Sequence, residues 1–333
     1  MDIKQISARE KALFAAGLAI LLLLVSIPFN IYQKKQIGTN PLDIRLVEER
    51  VERERDDSID VLVIGDSESY TSVSPMQIWR ERGYSVYMCG QPGQTTAGML
   101  EVLSASLSTQ KPKVVIMETN SLFRTRHDLD QLQDMMAERV ASVIPVFQYH
   151  NLWKHLINGS GNVNIKKNYK GFVIRTDIKP YEGDGSYMKL SRKEKKISRA
   201  NKDAFYKMLE LCKKHGARLV LYSAPSPRNY NMEKHNRLKR LASENHLHYI
   251  DMNMKELGID WRRDTADGGD HLNISGAEKT TAYIERILDR EGLVDHRPDG
   301  AYAGWDKLSD RYYHYAAKEI KRIRNKTFGR QTG

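Results

Sequence analysis

Cysteine is scarce in this chain, and its scarcity excludes several architectures. Only two of the 333 residues are cysteines, Cys89 and Cys212. Two cysteines cannot build a disulfide framework, and no Cys/His spacing resembles a zinc site. Cys89 ends a predicted strand and Cys212 lies in a predicted helix, so we interpret both as small buried side chains, with a single bridge between them left open. The sequence predicts no metal ion and no cofactor.

Signatures of nucleic-acid binding are also absent, although the chain is basic. Lys and Arg number 53 against 42 Asp and Glu, which gives a formal net charge of +11. The basic residues are scattered, and no zinc-finger, RNA-recognition or helix-turn-helix pattern accompanies them. We therefore predict no nucleic-acid partner. The charge is better interpreted as a solvated surface with a mild basic bias than as a dedicated polyanion site.

Long uncharged stretches are missing except near the N-terminus, where residues 12–29 carry no charge. As a helix this stretch would be about 27 Å long, close to the hydrocarbon thickness of a bilayer. Its apolar residues lie all round the helix, unlike those of a buried soluble helix. It exceeds the usual core of a signal peptide, and no small-residue cleavage site follows it. We predict an uncleaved single-pass membrane anchor over residues 1–30, with the rest of the chain extracytoplasmic.

After a charged stalk predicted for residues 31–57, short apolar runs alternate with amphipathic stretches. Strands are predicted at Val61–Ile64, Val86–Met88, Val114–Met117, Leu219–Tyr222 and Tyr249–Ile250. Helices are predicted at Pro75–Arg82, Thr96–Ser108, Asn201–His215, Lys234–Glu244 and 275–291. Continuous apolar strands separated by helices are typical of a parallel sheet that is covered on both faces. The sequence therefore predicts the α/β class.

The alternation breaks at about residues 124–199, which are rich in Tyr, Lys, Asn and Gly. So long a segment is not expected to be one structureless loop. We predict a single α/β domain over residues 58–295 that carries this segment as an insertion, followed by a basic helical tail over 296–333. Aromatic residues of the insertion are candidates for stacking on a sugar, although core packing is the commoner role of such rings: Trp153, Tyr169, Phe172 and Tyr187.

Polar blocks follow the predicted strands at one edge of the sheet. Gly65-Asp66-Ser67 follows the first strand, a glycine-containing loop at 89–96 follows the second, and Glu118-Thr119-Asn120-Ser121 follows the third. Ligands of open α/β sheets bind beyond the carboxyl ends of the strands. A Gly-Asp-Ser tripeptide alone is also an ordinary turn sequence. The shared edge is what makes these blocks candidates for a functional site.

A late block, residues 265–279, adds an imidazole at the same edge. Serine hydrolysis needs a nucleophile, an imidazole base, a carboxylate that orients the base, and donors for an oxyanion. The sequence can supply all four groups: Ser67, His271, either Asp267 or Asp270, and the pair Gly93 and Asn120. These residues are the candidate catalytic set.

The blocks resemble those of the SGNH/GDSL hydrolase superfamily, over about residues 58–290. The resemblance implies a three-layer α/β/α fold of the flavodoxin type. It implies that Ser67 is the nucleophile and that its backbone N–H is one oxyanion donor. It further implies that Gly93 offers a second backbone N–H, that Asn120 offers a side-chain amide, and that His271 is the base.

Two positions depart from the pattern of that superfamily. Thr119 precedes Asn120 where the family usually has glycine, which is expected to narrow or reshape the oxyanion pocket. The family's aspartate usually lies three residues before the histidine, but here that position is Gly268. Neighbouring side chains generally diverge, so Asp270 would reach the His271 ring awkwardly. We therefore prefer Asp267, with a loop expanded by one residue, and keep Asp270 as the alternative.

The combination of an anchor, the third block and a long insertion resembles a narrower group within the superfamily. These are extracytoplasmic accessory proteins that work beside membrane-bound O-acyltransferases in the acylation of cell-envelope polymers. The resemblance implies a serine-dependent O-acyltransferase or esterase acting on a cell-envelope polysaccharide, with a membrane-bound O-acyltransferase as partner. Two alternatives remain: a non-catalytic membrane-anchored scaffold of such a complex, and a soluble lipase or thioesterase.

Overall fold

The computed structural model describes residues 54–124 and 169–326, together with Val51 and eight positions between 13 and 24. The chain divides into two compact units, one formed by residues 41–124 and 167–333 and the other by 1–40 and 125–166. The eight N-terminal positions are helical and exposed. Among the described residues, no helix combines the length and the apolar character needed to cross a membrane. Most of the predicted anchor lies outside the described residues.

Five parallel strands form one sheet in the larger unit, in the order β2-β1-β3-β4-β5. They are β1 (Val61–Ile64), β2 (Val86–Met88), β3 (Val114–Glu118), β4 (Arg218–Ser223) and β5 (His248–Asp251). This strand order is that of flavodoxin-like folds. Each strand agrees with its predicted bounds to within one residue at either end. The prediction of a parallel α/β sheet is confirmed.

Helices cover both faces of the sheet. They are α1 (Ser67–Ser72), α2 (Pro75–Arg82), α3 (Thr96–Thr109), α4 (Arg199–Lys214), α5 (Met232–Glu244), α6 (Ile274–Leu288) and α7 (Ala303–Arg324). Leu62 and Leu219 belong to the core beneath α3, α4 and α5. Val63 and Ile116 belong to the opposite core, with α1 and α6. Successive strand residues thus alternate between two apolar layers, which makes the three-layer arrangement.

Helix α7 lies within the predicted helical tail and packs against α2 through aromatic rings. Trp79 of α2 lies 5.1 Å from Trp305, measured between ring centroids. The ring of Tyr312 makes edge-on contacts with the rings of Tyr169 and Phe172, at centroid distances of 5.2 and 6.1 Å. Since Tyr169 and Phe172 are buried in this cluster, their candidacy as sugar-stacking residues is wrong.

The described part of the predicted insertion, residues 169–198, has little regular structure. It contains an isolated bridge between Tyr169 and Phe172 and a 3-10 turn at Ser186–Met188. Backbone hydrogen bonds tie it to the late block: Ile274 N donates to Arg175 O at 2.8 Å, and Gly268 N donates to Lys179 O at 2.9 Å. The segment therefore runs beside the loop that carries His271. The remainder of the insertion, including Trp153, lies outside the described residues.

Candidate active site

Gly65 follows β1 at a position that has no room for a side chain. A Cβ at this position would lie 2.6 Å from the Cβ atoms of both Glu118 and Ser69. Gly65 is therefore needed because β3 and α1 approach it closely, and its φ is not in the left-handed region. Asp66 then caps α1 by accepting a hydrogen bond from Glu68 N at 2.9 Å. Ser67, the first residue of α1, is half-buried while its neighbours on both sides are buried.

A continuous hydrogen-bonded chain joins three of the predicted site residues. His271 Nε2 lies 2.7 Å from Ser67 Oγ, and His271 Nδ1 lies 2.7 Å from Asp267 Oδ2. Asp267 Oδ1 also accepts from the backbone N–H of His271 at 2.7 Å. Asp270 lies farther from the ring, with Oδ2 at 3.7 Å from Nδ1. The structure thus brings Ser67, His271 and Asp267 together, and the preferred aspartate makes the closer contact; their catalytic roles stay predictions.

Two glycines explain how an aspartate four residues before the histidine reaches its ring. Gly268 and Gly269 have φ values of +79° and +90°, which glycine adopts without the penalty that a side chain would bring. The tight turn folds Asp267 back under His271, and Thr265 pairs with Leu272 across the base of the loop. The predicted one-residue expansion of this loop therefore corresponds to the turn at Gly268 and Gly269.

Arg175 sits beside the same carboxylate. Its Nη2 atom lies 3.3 Å from Asp267 Oδ2. Partial burial favours the neutral form of Asp267, but the hydrogen bonds from the His271 side chain and backbone, together with the charges of His271 and Arg175, hold the pKa of Asp267 below its usual range. Asp267 is therefore ionised at neutral pH, as a carboxylate that orients an imidazole must be. Arg175 could not be predicted as part of the site, because it lies 96 positions before His271 in the predicted insertion.

Asn120, the predicted side-chain oxyanion donor, contacts Glu68, the residue that follows Ser67. Ile64 pairs with Met117 in the sheet, and Ser67 and Asn120 each follow that pair by three residues. The Nδ2 atom of Asn120 donates to Glu68 Oε1 at 3.2 Å. Thr119 turns the other way, since its hydroxyl lies 2.9 Å from Ser223 Oγ and 3.0 Å from Tyr230 OH. The expectation that Thr119 narrows the oxyanion pocket is not supported by this orientation.

The predicted role of Gly93 has less structural support. Gly93 is exposed, has a φ of +64°, and a Cβ there would meet nothing within 4 Å. In the same loop, a Cβ at Gly90 would lie 2.1 Å from Ser69 Oγ. Gly90 is therefore the glycine of this loop that allows it to approach α1. The assignment of Gly93 as an oxyanion donor remains a prediction.

Three buried carboxyl groups lie beneath Ser67, and the sequence analysis did not assign them. Burial raises the pKa of Glu118 to about 8, with the charge of Asp66 adding to the effect and a hydrogen bond from Tyr230 opposing it. Burial, then repulsion from Glu118 and Asp66, raises the pKa of Glu68 well above its usual range. Burial also raises the pKa of Asp66, although Arg124 opposes this. At neutral pH the raised pKa of Glu118 favours its protonated form.

The spacing of these carboxyl groups raises the question of a metal ion. Oxygen atoms of Asp66, Glu68 and Glu118 lie within 4.8 Å of one another. Arg124 pairs with Asp66, and the charge of Lys234 is attracted to Glu68 and Glu118. Since cationic side chains and bound protons already balance the acids, this donor set does not call for a metal ion.

Tyr70 is a further group near Ser67 that was not predicted from the sequence. Tyr70, one turn after Ser67 on α1, is close enough for its hydroxyl to interact with the Ser67 side chain. Burial raises the pKa of Tyr70 to about 12, with the charge of Arg175 opposing it. The signal available in the sequence was weak: Tyr70 follows Ser67 at a spacing of three, which places both on one helix face.

Three of the solved structures similar to this chain are described as a lipase, an acylhydrolase and a lipolytic protein. The chain is similar to a GDSL-like lipase from Bacteroides thetaiotaomicron, with 12% identity and a TM-score of 0.41, over 75% of this chain and 99% of that chain. It is similar to a protein described as an acylhydrolase from Bacteroides fragilis, with 13% identity and a TM-score of 0.37, over 73% and 94%.

A third similar structure is a protein described as lipolytic and of the G-D-S-L family, from Desulfitobacterium hafniense. The identity is 14% and the TM-score 0.39, over 68% of this chain and 98% of that chain. No family model and no curated protein matches the chain. Because the identities and TM-scores are this low, the case for a chemical function depends on the contacts of the site itself.

Proposed function

We propose that this protein is a serine-dependent enzyme that cleaves acyl esters through an acyl-enzyme at Ser67. The observation that carries the proposal is the unbroken chain from Asp267 through His271 to Ser67 Oγ, with 2.7 Å at each link. That order of carboxylate, imidazole and hydroxyl is the arrangement that activates a serine in unrelated folds. Ser67 is half-buried at the start of α1, between two fully buried neighbours.

In the acylation step, Ser67 Oγ would attack the ester carbonyl while His271 Nε2 takes the hydroxyl proton. The C–O bond to the leaving group breaks, and His271 returns the proton to that alcohol. Asp267 stabilises the imidazolium that forms between these events and holds the ring in place. In the second step an acceptor hydroxyl gives its proton to His271 and attacks the carbonyl of the Ser67 ester. The acyl–Oγ bond then breaks, and His271 returns the proton to Ser67 Oγ.

The developing oxyanion needs donors near Ser67. The backbone N–H of Ser67, the N–H of Gly93 and the Asn120 amide are the proposed donors. Asn120 has the best structural support, because its side chain lies at the nucleophile turn. Loss of one donor of this kind typically costs about 10²–10³-fold in turnover.

The finer proposal concerns where the enzyme works and what accepts the acyl group. An 18-residue uncharged run at 12–29 supports a membrane anchor with an extracytoplasmic catalytic domain. Anchoring beside a membrane-bound O-acyltransferase would limit diffusion of the acyl group, and the polar insertion suits a sugar better than a lipid. We therefore propose acyl transfer, of an acetyl group in the simplest case, to a hydroxyl of a cell-envelope polysaccharide, with hydrolysis when water replaces that acceptor.

A fluorophosphonate probe tests the central proposal. It reacts with activated serines, so we expect one adduct at Ser67, found by intact mass and peptide mapping, and none in Ser67→Ala. Persistent labelling in Ser67→Ala, or an unlabelled wild-type protein, would overturn the enzyme proposal. A non-catalytic scaffold predicts an intact cellular phenotype in Ser67→Ala. An acyl adduct on Ser67 in protein taken from its native membrane would identify the donor.

A further inference from the structure

The side-chain amide of Asn120 is held at both ends. Its Oδ1 atom accepts a hydrogen bond from Lys234 Nζ at 2.8 Å, and its Nδ2 atom donates to Glu68 Oε1 at 3.2 Å. A lysine ammonium can only donate, so it must face the oxygen of the amide. A rotation of the amide by 180° would set its NH₂ group against that ammonium. Both contacts therefore select the same orientation.

Through this contact the amide bonds to Glu68, the residue that follows Ser67 in α1. One N–H of Nδ2 is used by Glu68, and the second is available to another acceptor. Ser67 and Asn120 leave neighbouring paired strands at the same level. The free N–H is thus placed at the edge of the sheet where an ester bound to Ser67 would develop its negative charge.

Lys234 is held in place by groups from three elements. It lies in the first turn of α5, and its Nζ atom also donates to the carbonyl of Asn229. The ammonium lies 5.2 Å from the ring centroid of Phe123 and 5.4 Å from that of Tyr230. Burial lowers the pKa of Lys234, and attraction by Glu68 and Glu118 opposes that shift. A confined ammonium with these contacts is a rigid donor.

Glu68 makes the second connection, toward the loop of the histidine. Its Oε1 atom also accepts from Asn229 Nδ2, and the same amide donates to Asp270 Oδ1. Glu68 therefore joins Asn120 to the residue that precedes His271. Its Oε2 atom is buried without a hydrogen-bond partner among the described residues. The carboxyl group thus serves through Oε1, as an acceptor shared by two amides.

We propose that Lys234 and Glu68 are positioning residues that lock the Asn120 amide with its Nδ2 facing the reacting ester. The inference rests on the proposed function, since the locked donor acts only if an oxyanion forms at Ser67. It goes further by giving a task to two charged residues that lie outside the Ser67–His271–Asp267 chain.

The consequence for kinetics is specific. Lys234→Met keeps the apolar stem but removes the donor, so the amide can rotate and its NH₂ is correctly placed for only part of the time. A donor that acts in the transition state changes kcat and leaves KM unaltered. We expect kcat for p-nitrophenyl acetate to fall about 10–100-fold, within the cost of losing the donor altogether.

The experiment uses the full chain with three comparisons. Lys239→Met makes the same substitution at an exposed position of α5 and should leave kcat unchanged. Glu68→Gln keeps the Oε1 acceptor and should retain most of the activity, whereas Glu68→Leu should lose about as much as Lys234→Met. The decisive comparison places Lys234→Met in an Asn120→Ala background, where it should lower kcat no further, because the amide through which Lys234 acts on catalysis is gone.

Equal losses from Lys234→Met with and without Asn120 would overturn the inference, because they would indicate a general structural role. A kcat within two-fold of wild type in Lys234→Met, while Asn120→Ala is impaired, would overturn it as well. Should Lys234→Met not fold, the Glu68→Gln and Glu68→Leu pair gives the same decision. A wild-type protein that the fluorophosphonate does not label at Ser67 would instead remove the proposed function, and this inference with it.

Discussion

An aspartate, a histidine and a serine are joined by hydrogen bonds at each end of β1, but a different residue is in the middle at each end. At the carboxyl end, His271 lies between Asp267 and Ser67, with 2.7 Å on each side. At the amino end, Asp60 lies between His296 and Ser85.

Asp60 Oδ2 accepts from His296 Nε2 at 2.7 Å and from Ser85 Oγ at 3.0 Å. Ser85 is buried and donates to a carboxylate, and none of the imidazoles in the described residues accepts its proton. The order of the hydrogen bonds, more than the residue types, therefore distinguishes the arrangement that we propose to be catalytic from the one at the amino end.

The largest expected effect comes from removing the imidazole at each end. His271→Ala should lower kcat for p-nitrophenyl acetate by about 10⁴–10⁶-fold, because Ser67 loses its base. His296→Ala should leave kcat unchanged and lower the melting temperature, since it breaks the contact with Asp60 and the stacking on Tyr302 at 4.7 Å. A loss of activity from both variants would show that the two ends are not functionally different.

The second-largest expected effect comes from replacing the aspartate at each end of β1 by asparagine. Asp267→Asn should lower kcat by about 10²–10⁴-fold, because an amide N–H facing Nδ1 would favour the tautomer that cannot accept the Ser67 proton. Asp60→Asn should keep kcat, and Asp270→Asn should stay within about five-fold of wild type, given the longer 3.7 Å contact. If Asp270→Asn proves the more damaging substitution, Asp270 is the orienting carboxylate after all.

The same comparison shows which features of the fold and the site could be predicted from the sequence. Runs such as Val61–Ile64 and Val114–Glu118 predict strands because burial on both faces demands apolar residues at every position. Ser67 and His271 could be proposed because both follow elements that end at one edge of the sheet. Asp267 could be preferred on stereochemical grounds, but the Gly268-Gly269 turn that makes its contact depends on backbone angles that a sequence does not specify.

The network around Asn120 was beyond prediction for a physical reason. Glu68, Glu118 and Lys234 are charged residues, and charged residues are ordinarily exposed. Their burial depends on mutual neutralisation by groups far apart in the chain, such as Lys234 and Asn120 at a separation of 114. The one available signal was Glu118 itself, an acid at the end of an otherwise apolar run.

The smallest expected effect concerns the buried acidic side chains near the carboxyl end of β1, and Glu118 in particular. The pKa of Glu118 is raised to about 8 in the folded protein, from 4.5. The folded state therefore holds a proton that the unfolded state has released between these pH values. The stabilisation from this group is complete below about pH 4.5 and is lost as the pH rises through about 8.

Thermal unfolding between pH 5.5 and 8.5 measures this contribution. The melting temperature of the wild type should fall over that range, and that of Glu118→Gln should fall less, because the amide has no proton to lose. The slope should not vanish in the variant, since the pKa of Glu68 is raised as well. Ser85→Ala, a substitution at the amino end that removes no titratable group, should keep the wild-type slope. Equal slopes in wild type and Glu118→Gln would mean that Glu118 is already ionised at neutral pH, and that Lys234 and Arg124 balance it as a charge without a bound proton.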